Sequence, residues 1–322
     1  MNEFALIARY FQRPMHDASV RLGIGDDAAV VAPTPGCELA ISVDMLVEGR
    51  HFLADVDPEA LGHKTLAVNL SDLAAMGARP RWALLGGALP DADERWLDAF
   101  ARGLFAIADR FGVTLIGGDT TRGPRNLCVT IVGEVPAGTA ITRAGAHVDD
   151  DVWVSGTLGD AMLALAAMQG RSRIDDDALA RLRVRLERPE PRVALGEALR
   201  GIATAALDVS DGLTGDLAHI LDASRVGARI ELASIPCDDR LTGKLSTERA
   251  IALECLLAGG DDYELCFTAA PRDRERVIAA GRVSGVHVTR IGAMTSERGL
   301  RVVDADGEAM PSLPRAFDHF PS

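Results

Sequence analysis

Short apolar segments typical of strands alternate, along the whole chain of 322 residues, with longer segments whose apolar residues have helical spacing. In the first half we predict two long helices, from Pro58 to Gly77 and from Glu94 to Phe111. Asp93 is the predicted N-cap of the second helix, and Gly112 marks its end. Strands in pairs between two long helices indicate an α+β sandwich more than a doubly wound sheet.

A composition shift at 136–151 divides the chain, because glycine, proline and three consecutive aspartates stand there between apolar runs. A chain of this length usually exceeds what one hydrophobic core serves. We therefore predict an N-terminal domain at 1–137 and a C-terminal domain at 149–322.

The charge balance is acidic, with 34 basic against 47 acidic side chains and a net charge of -13. Without a basic stripe, nucleic acid is an unexpected main partner. Neither of the two lysines, Lys64 and Lys244, follows a GxxxxG turn, so a P-loop is excluded.

The apolar runs are broken well before the roughly 18 residues that a membrane span needs, and the first residues show no export signal. Five scattered cysteines without a CxxC pair argue against a disulfide framework and against a zinc site. We expect a cytoplasmic protein that does not bind membranes.

Several aspartates share one local design, in which a short predicted strand ends and the aspartate lies beside a glycine or another small residue. The cases are Asp26 and Asp27, Asp44, Asp119, Asp208 and Asp211, and Asp261 and Asp262. Asp72 lies within a predicted helix instead. Each one alone is typical of a helix cap or a turn. Clustered together, such carboxylates would repel one another unless a hard divalent cation, most commonly Mg²⁺ in phosphate chemistry, were bound between them.

Three further features have both a functional and a structural interpretation. Gly117 and Gly118 would let main-chain N–H groups approach an anion, or would form a tight turn after a strand. Arg143 could clamp a phosphate, or be a surface arginine. His51 could contact a ligand at the rim of the aspartate cluster, or be structural. No HExxH, GxSxG or GxGxxG motif and no cysteine-nucleophile motif offers another catalytic design.

Six segments, in this order and spacing, closely resemble the thiamine-monophosphate kinase family: GIGDDAAV, SVDMLVEGRHF, LGHKTLAVNLSDLAAMGARP, LIGGDTTRGP, LDVSDGL and GGDDYELCF. The resemblance runs from Phe4 to a closing DHF at 318–320. It implies a kinase that uses ATP and several Mg²⁺ ions to convert thiamine phosphate into thiamine diphosphate.

The resemblance also implies the two-domain fold that this family shares with aminoimidazole ribonucleotide synthetase. Its N-terminal domain binds ATP and metal, and the N-terminal sheets of two subunits pair into a barrel, so a homodimer is expected. The C-terminal domain is expected to be an α/β sandwich.

Family roles are carried over to the positions of this sequence that match the motifs. His51 and Asp261 would contact thiamine phosphate, and Asp44, Asp119 and Arg143 would be the catalytic residues. ATP would be contacted by Gly118, Asp119, Arg143 and Ser210. The implied Mg²⁺ ligands are Asp27, Ser42, Val43, Asp44, Asp72, Asp119, Asp208 and Asp211.

The chain departs from the family pattern at three places. Val43 replaces a frequent threonine, so a metal contact there would use its main-chain carbonyl. Asp261 replaces the usual glutamate and is shorter by one methylene. Pro314 stands where some relatives have a tryptophan, and Phe317 is the nearest aromatic residue.

The acceptor is itself a phosphate, largely a dianion at neutral pH, so transfer requires no strong general base. Aspartate-bound Mg²⁺ and Arg143 would supply positive charge, with in-line positioning of the reactants. Two alternatives stay open: another ATP-cleaving enzyme of the same fold, and a non-catalytic acidic module that binds metal or nucleotide. ATP turnover that depends on thiamine phosphate would discriminate among the three.

Overall fold

The computed structural model describes residues 2–14 and 16–317, so the DHF motif at 318–320 lies outside the described residues. The chain divides into two compact units. The first contains the residues up to Leu73 together with Ala78–Gly138, and the second contains Ala74–Gly77 together with the chain from Thr139 onward.

Helices, two short strands and four long strands form the first unit. In chain order they are α1 (Glu3–Tyr10), β1 (Val20–Leu22), β2 (Val30–Val31), β3 (Cys37–Val47), α2 (Pro58–Ala75), β4 (Arg79–Leu89), α3 (Glu94–Phe111), β5 (Thr114–Arg122) and β6 (Asn126–Pro136). Strands β1 and β2 pair with each other, and the other four form a sheet in the order β3-β6-β4-β5. Only the β4–β5 pair of this sheet is parallel.

The predicted end signals of α3 are confirmed. The Asp93 carboxylate accepts hydrogen bonds from the N–H groups of Arg95 and Trp96, at 2.9 and 3.4 Å. Gly112 adopts the left-handed conformation at φ 66° that closes the helix. These contacts are local in sequence, which is why the sequence alone predicts them.

Helices α2 and α3 lie unusually close together because each carries a glycine at the contact. A Cβ atom on Gly62 would lie 2.1 Å from the Phe100 carbonyl oxygen, and one on Gly103 would lie 1.8 Å from the Glu59 carbonyl oxygen. Either substitution would force the two backbones apart. This close packing holds α2 beside α3.

Two predicted strand ends are wrong. The strand predicted at 39–43 extends to Val47, so Asp44 lies inside β3 and pairs with Val129. The strand predicted at 113–116 continues to Arg122, so Gly117, Gly118 and Asp119 lie inside β5. Strand β3 continues because β6 offers backbone hydrogen-bond partners along its whole length, and β5 continues because β4 does the same. Glycine and aspartate residues do not prevent this pairing.

The second unit is built on a six-stranded sheet in the order β12-β9-β11-β7-β10-β8. All its neighbouring strands are antiparallel except β12 and β9. Its elements are β7 (Asp151–Ser155), α4 (Asp160–Met168), α5 (Asp176–Glu187), α6 (Val193–Leu199), β8 (Ala203–Asp208), α7 (Leu213–Ser224), β9 (Gly227–Glu231), α8 (Asp239–Thr247), α9 (Arg249–Leu253), β10 (Leu265–Ala269), α10 (Arg274–Ser284), β11 (Val288–Thr295) and β12 (Gly299–Val303). The mixed helix and strand content agrees with the predicted fold class.

The core of the second unit is aliphatic, with one aromatic pair at its edge. Helix α7 buries Leu213, Leu217 and Ile220 at helical spacing, and Trp153 of β7 stacks on Phe267 of β10 with ring centroids 6.4 Å apart. Within 2–14 and 16–317, no helix is both long and apolar enough to cross a membrane.

Candidate functional site

Strand β3 and helix α2 bring together three of the predicted metal ligands, Ser42, Asp44 and Asp72. The Ser42 hydroxyl donates a hydrogen bond to Asp72 Oδ2, and the Asp44 N–H donates to Oδ1 of Asn69 at 3.2 Å. Asn69 is fully buried, and its amide nitrogen donates to the Thr65 carbonyl at 3.1 Å. The β3 segment is therefore tied to α2 by polar contacts, on the face of the sheet that α2 covers.

Asp119 lies on the other face of the same sheet. The pairing register places Asp119, Gly86, Cys128 and Met45 in one row, whereas Asp44 belongs to the adjacent row. Directly paired residues share a face and successive residues alternate. The sheet thus separates the Asp119 carboxylate from those of Asp44 and Asp72.

Gly118 belongs to the row of Asp44 and lies against β4. Its φ is 155°, and a Cβ atom there would lie 2.0 Å from the Leu85 carbonyl oxygen. Glycine is required by this close approach of two backbones. The GGD segment is therefore an irregular strand next to β4 and not the turn after a strand that the sequence suggests.

Asp27 and His51 lie at the two ends of the chain segment that contains β3. Asp27 is exposed in the connection between β1 and β2, where its N–H donates to Asp26 Oδ1 at 3.0 Å.

His51 Nδ1 accepts a hydrogen bond from the Val47 N–H at 3.0 Å, which leaves the ring proton on Nε2. The Nζ of buried Lys64 donates to the His51 carbonyl at 3.3 Å.

In the second unit, Asp208, Ser210 and Asp211 occupy the end of β8 and the loop that leads into α7. Asp208 pairs with Leu265 of β10, and the Val209 N–H donates to the Glu264 carbonyl at 2.8 Å. These contacts hold the start of the loop to β10. Ser210 and Asp211 follow in half-buried positions.

Asp216, in the first turn of α7, organises this loop. Its Oδ2 accepts hydrogen bonds of 3.0 Å from the N–H groups of Ser210, Asp211 and Gly212. Burial raises the pKa of Asp216 to about 7; the N–H donors act in the opposite direction, and the Asp211 carboxylate raises the pKa further. Our sequence analysis missed Asp216. Its signal was an acidic residue in the first helical turn after Ser-Asp-Gly.

Asp261 lies next to the same loop and has a left-handed backbone, with φ 66°. Its N–H donates to the Ser210 carbonyl at 2.9 Å, and the Tyr263 hydroxyl donates to its Oδ1 at 3.1 Å. Aspartate tolerates this conformation better than most residues. The structure thus brings Asp261 beside Ser210 within the second unit.

Arg143 is exposed, on the segment between β6 and β7. Its backbone is anchored because Ser224 Oγ donates to its carbonyl at 3.1 Å, while the neighbouring Thr142 carbonyl accepts from the Ala206 N–H at 3.1 Å. The guanidinium therefore projects from a fixed backbone.

Two acidic residues near Asp261 have structural roles: Asp262, one of the aspartates noted in the sequence, and Glu264, which the sequence analysis did not single out. Glu264 is fully buried, and its carboxylate accepts from Arg185 Nη2 at 2.5 Å and from Arg192 Nε at 2.6 Å. Burial raises the pKa of Asp262 well above its ordinary value, although the Gly159 N–H donates to Asp262 Oδ2 at 2.8 Å. Both side chains hold the strand β10 end in place.

Across the part of the chain that the structure describes, no three histidine, cysteine, aspartate or glutamate side chains are gathered closely enough to hold a metal ion. The donors that lie together at Ser42 and Asp72 are all oxygen atoms. Hard oxygen donors are those that Mg²⁺ prefers. The chemistry of this donor set fits the implied cation.

Comparison with known proteins assigns both units. The model of the AIR synthase related protein N-terminal domain matches residues 25–135, and that of the C-terminal domain matches residues 147–305. The thiamine-monophosphate kinase of Escherichia coli is 47% identical over 321 residues, which cover 99% of this chain and 98% of that protein.

Two solved structures are similar over most of the chain. The thiamine-monophosphate kinase from Stenotrophomonas maltophilia has a TM-score of 0.83 and 46% identity, covering 95% of this chain and 96% of that one. AaThiL complexed with AMPPCP and TMP has a TM-score of 0.78 and 29% identity, covering 90% of this chain and 89% of that one. On this full-length similarity, the chain belongs to the thiamine-monophosphate kinase family of AIR synthase related proteins.

Proposed function

We propose that this protein transfers the γ-phosphoryl group of ATP to thiamine phosphate, forming ADP and thiamine diphosphate in the cytoplasm. The observation that carries the proposal is the 47% identity to a thiamine-monophosphate kinase over 99% of the chain. The binding of the ATP analogue AMPPCP together with TMP by AaThiL supports the same pair of substrates.

The reaction joins two phosphate groups. An oxygen of thiamine phosphate forms a bond to the γ-phosphorus as the bond from that phosphorus to the ADP oxygen breaks, in line. The attacking phosphate is largely a dianion at neutral pH and needs no strong base. The main barrier is electrostatic, so the site has to counter the repulsion between two anions.

Residues of both units have proposed roles toward the substrates. Gly118, Asp119, Arg143 and Ser210 contact ATP, and His51 and Asp261 contact thiamine phosphate. The exposed Arg143 guanidinium stabilises negative charge on the phosphoryl group. His51 carries its ring proton on Nε2, because its Nδ1 accepts from the Val47 N–H. Region 1–137 is proposed as the nucleotide, metal and dimerisation domain, and 149–322 as the C-terminal domain.

Several Mg²⁺ ions are part of the proposal. The residues that would hold them are Asp27, Ser42, Val43, Asp44, Asp72, Asp119, Asp208 and Asp211, with Val43 using its carbonyl. When bound, the cations supply positive charge that offsets repulsion among the phosphates. The Ser42 hydroxyl, tied to Asp72, holds the two oxygen donors together before a cation binds.

A homodimer is also proposed, through the β3 end of the sheet face that is turned away from α2; Asp119 lies on this face at the opposite edge, in β5. Strand β3 is an edge strand. Its large apolar side chains on this face are exposed: Leu39 by 43%, Ile41 by 65%, Val43 by 59% and Met45 by 51%. A row of exposed apolar residues on an edge strand is typical of a surface that a partner covers. Pairing of two such sheets into a barrel would bury these β3 side chains.

The decisive experiment incubates the full chain with ATP and Mg²⁺ and compares thiamine phosphate with unphosphorylated thiamine as acceptor. Equal amounts of ADP and thiamine diphosphate are expected with thiamine phosphate, and no product with thiamine, whose hydroxyl needs a proton acceptor. ADP formation that does not depend on thiamine phosphate would indicate another ATP-cleaving enzyme. Nucleotide binding without turnover would indicate a binding module.

A further inference from the structure

The loop between β8 and α7 directs three consecutive N–H groups at one atom. Ser210, Asp211 and Gly212 each donate at 3.0 Å to Asp216 Oδ2. The Asp216 N–H in turn donates to the Gly212 carbonyl at 3.0 Å, which is the backbone hydrogen bond that joins the end of the loop to the first turn of α7. Asp216 itself is only 5% exposed.

The carbonyls of the same loop connect it to two other segments of the unit. The Ser210 carbonyl accepts from the Asp261 N–H at 2.9 Å, and the Asp211 carbonyl accepts from the Phe317 N–H at 3.2 Å. The approach is close: a Cβ atom on Gly260 would lie 2.2 Å from the Ser210 carbonyl oxygen. The position of the Ser210 carbonyl thus bears directly on the backbone at Asp261.

Successive N–H groups that converge on one point form a concave site for an anion, the arrangement that cradles phosphate in many nucleotide-binding loops. Here the protein's own carboxylate already occupies that position and is buried within it. The three N–H groups are consequently not donors to a substrate phosphate. Ser210 has its side-chain hydroxyl left for that purpose.

We infer that Asp216 is a positioning residue whose carboxyl oxygen, as the shared acceptor of three N–H groups, sets the loop backbone that presents Ser210 and Asp211 and, through the Ser210 carbonyl, Asp261. The inference rests on the proposed function, in which Ser210 contacts ATP, Asp211 binds metal and Asp261 contacts thiamine phosphate. Asp216, which is buried behind the loop, is assigned no ligand contact of its own.

The test is chemical rescue of Asp216→Ala by formate, a small carboxylate. We expect kcat for thiamine phosphate to fall about tenfold or more, as for loss of a charged acceptor that serves several donors, and added formate to restore much of it. Formate should also raise the melting temperature of Asp216→Ala, and leave that of the wild type unchanged. The matched control is Asp222→Ala, an exposed aspartate of the same helix, which should keep wild-type kcat and show no response to formate.

Two further outcomes keep the inference testable. If Asp216→Ala does not fold, Asp216→Asn replaces it, since the amide keeps an acceptor oxygen without the charge, and a lowered kcat at a near-wild-type melting temperature is then expected. Wild-type kcat in a folded Asp216 variant, or an Asp216→Ala variant whose melting temperature and kcat ignore formate, would overturn the inference. A wild-type protein that does not phosphorylate thiamine phosphate would refute the proposed function instead, and the formate-dependent melting temperature would still test the inference.

Discussion

Individual carboxylates in this protein lie in contrasting environments although the sequence presents them alike. Asp44 on β3 and Asp72 on α2 are half-buried, Asp119 is exposed on the face of the sheet turned away from α2, and Asp216 is buried among N–H donors. The free energy of folding depends on the charge differently in each case. Of these four carboxylates, only that of Asp216 is expected to contribute substantially to the stability of the protein. Its removal would leave three buried N–H donors without an acceptor.

For Asp44→Asn and Asp119→Asn we expect turnover of thiamine phosphate to fall about a hundredfold or more, as for other losses of charge at phosphoryl-transfer sites. An amide cannot neutralise a bound cation, and the fold is expected to persist because Asp44 is only half-buried and Asp119 is exposed. Steady-state kinetics at matched Mg²⁺ concentrations provide the measurement.

The control for these two variants is Asp98→Asn, an exposed aspartate on α3 of the same unit. It should keep wild-type kinetics. Wild-type turnover in Asp44→Asn or Asp119→Asn would remove that residue from the proposed metal site.

Asp261 permits a separation of backbone and charge effects. Asp261→Asn keeps a side chain that tolerates φ 66° and keeps an oxygen for the Tyr263 hydroxyl. We expect it to raise the KM for thiamine phosphate more than the KM for ATP while the melting temperature stays near wild type. Kinetics with each substrate varied in turn, beside a melting curve, make the comparison.

Asp261→Ala is the matched variant for the backbone. Alanine in the left-handed region costs about 1 kcal/mol, so this protein should melt lower than Asp261→Asn. An unchanged KM for thiamine phosphate in both variants would show that Asp261 is only a turn residue.

Strands β4 and β6 are joined by a half-buried ion network centred on Arg81. Its Nη1 donates to Glu134 Oε2 at 2.5 Å, and its Nη2 lies 3.6 Å from Asp17 Oδ2. Burial raises the pKa of Glu134, but hydrogen bonds from Thr34 and the Arg81 charge outweigh it, so the pKa is lowered on balance. The pKa of Asp17 is lowered in the same way, with Ser19 and Arg81 outweighing burial.

Arg81→Met should lower the free energy of unfolding by about 2 kcal/mol at neutral pH, because the buried Glu134 carboxylate would lose its charged partner and keep only its hydrogen bonds from Thr34. Denaturant unfolding, followed by tryptophan fluorescence, measures the change. The control is Arg102→Met, whose ion pair with Glu59 is exposed and is worth at most about 1 kcal/mol.

The pH dependence of this network has a defined sign. Carboxyl groups whose folded pKa is lowered contribute stability above their ordinary values, 4.5 for Glu134 and 3.8 for Asp17, and lose it as the pH falls through the folded pKa. The difference in stability between wild type and Arg81→Met should therefore shrink below about pH 4.5. A difference that stays constant down to acid pH would contradict this assignment.

For the whole molecule, the open face of the first sheet decides the expected assembly. We expect the wild type to sediment at twice the chain mass and Ile41→Glu to sediment as a monomer, since a buried charge without a partner would be placed in the apolar interface. Analytical ultracentrifugation measures this directly.

Val283→Glu is the matched control for the assembly, since this exposed valine lies on α10 in the second unit. The same change of side chain should leave the dimer intact there. A monomeric wild type, or an Ile41→Glu protein that remains dimeric, would contradict the proposed barrel.

Much of this protein is predictable from local sequence. The helices α2 and α3 lie close to their predicted bounds, and the six motifs identify the family, because caps, helical spacing and motif residues depend on neighbours in the chain.

Only the tertiary structure places the carboxylates relative to one another. Asp44 and Asp119 both look like residues after a strand, yet each lies inside one, and on opposite faces of the sheet. The face that a strand residue occupies depends on register, and register shifts in β4 between Pro80 and Trp82 and between Ala83 and Leu84 intervene. The role of Asp216 also depends on tertiary structure. The local sequence places an acidic residue in the first turn of a helix. The three N–H groups converge on it only because the loop is held in shape by contacts with β10 and with Phe317.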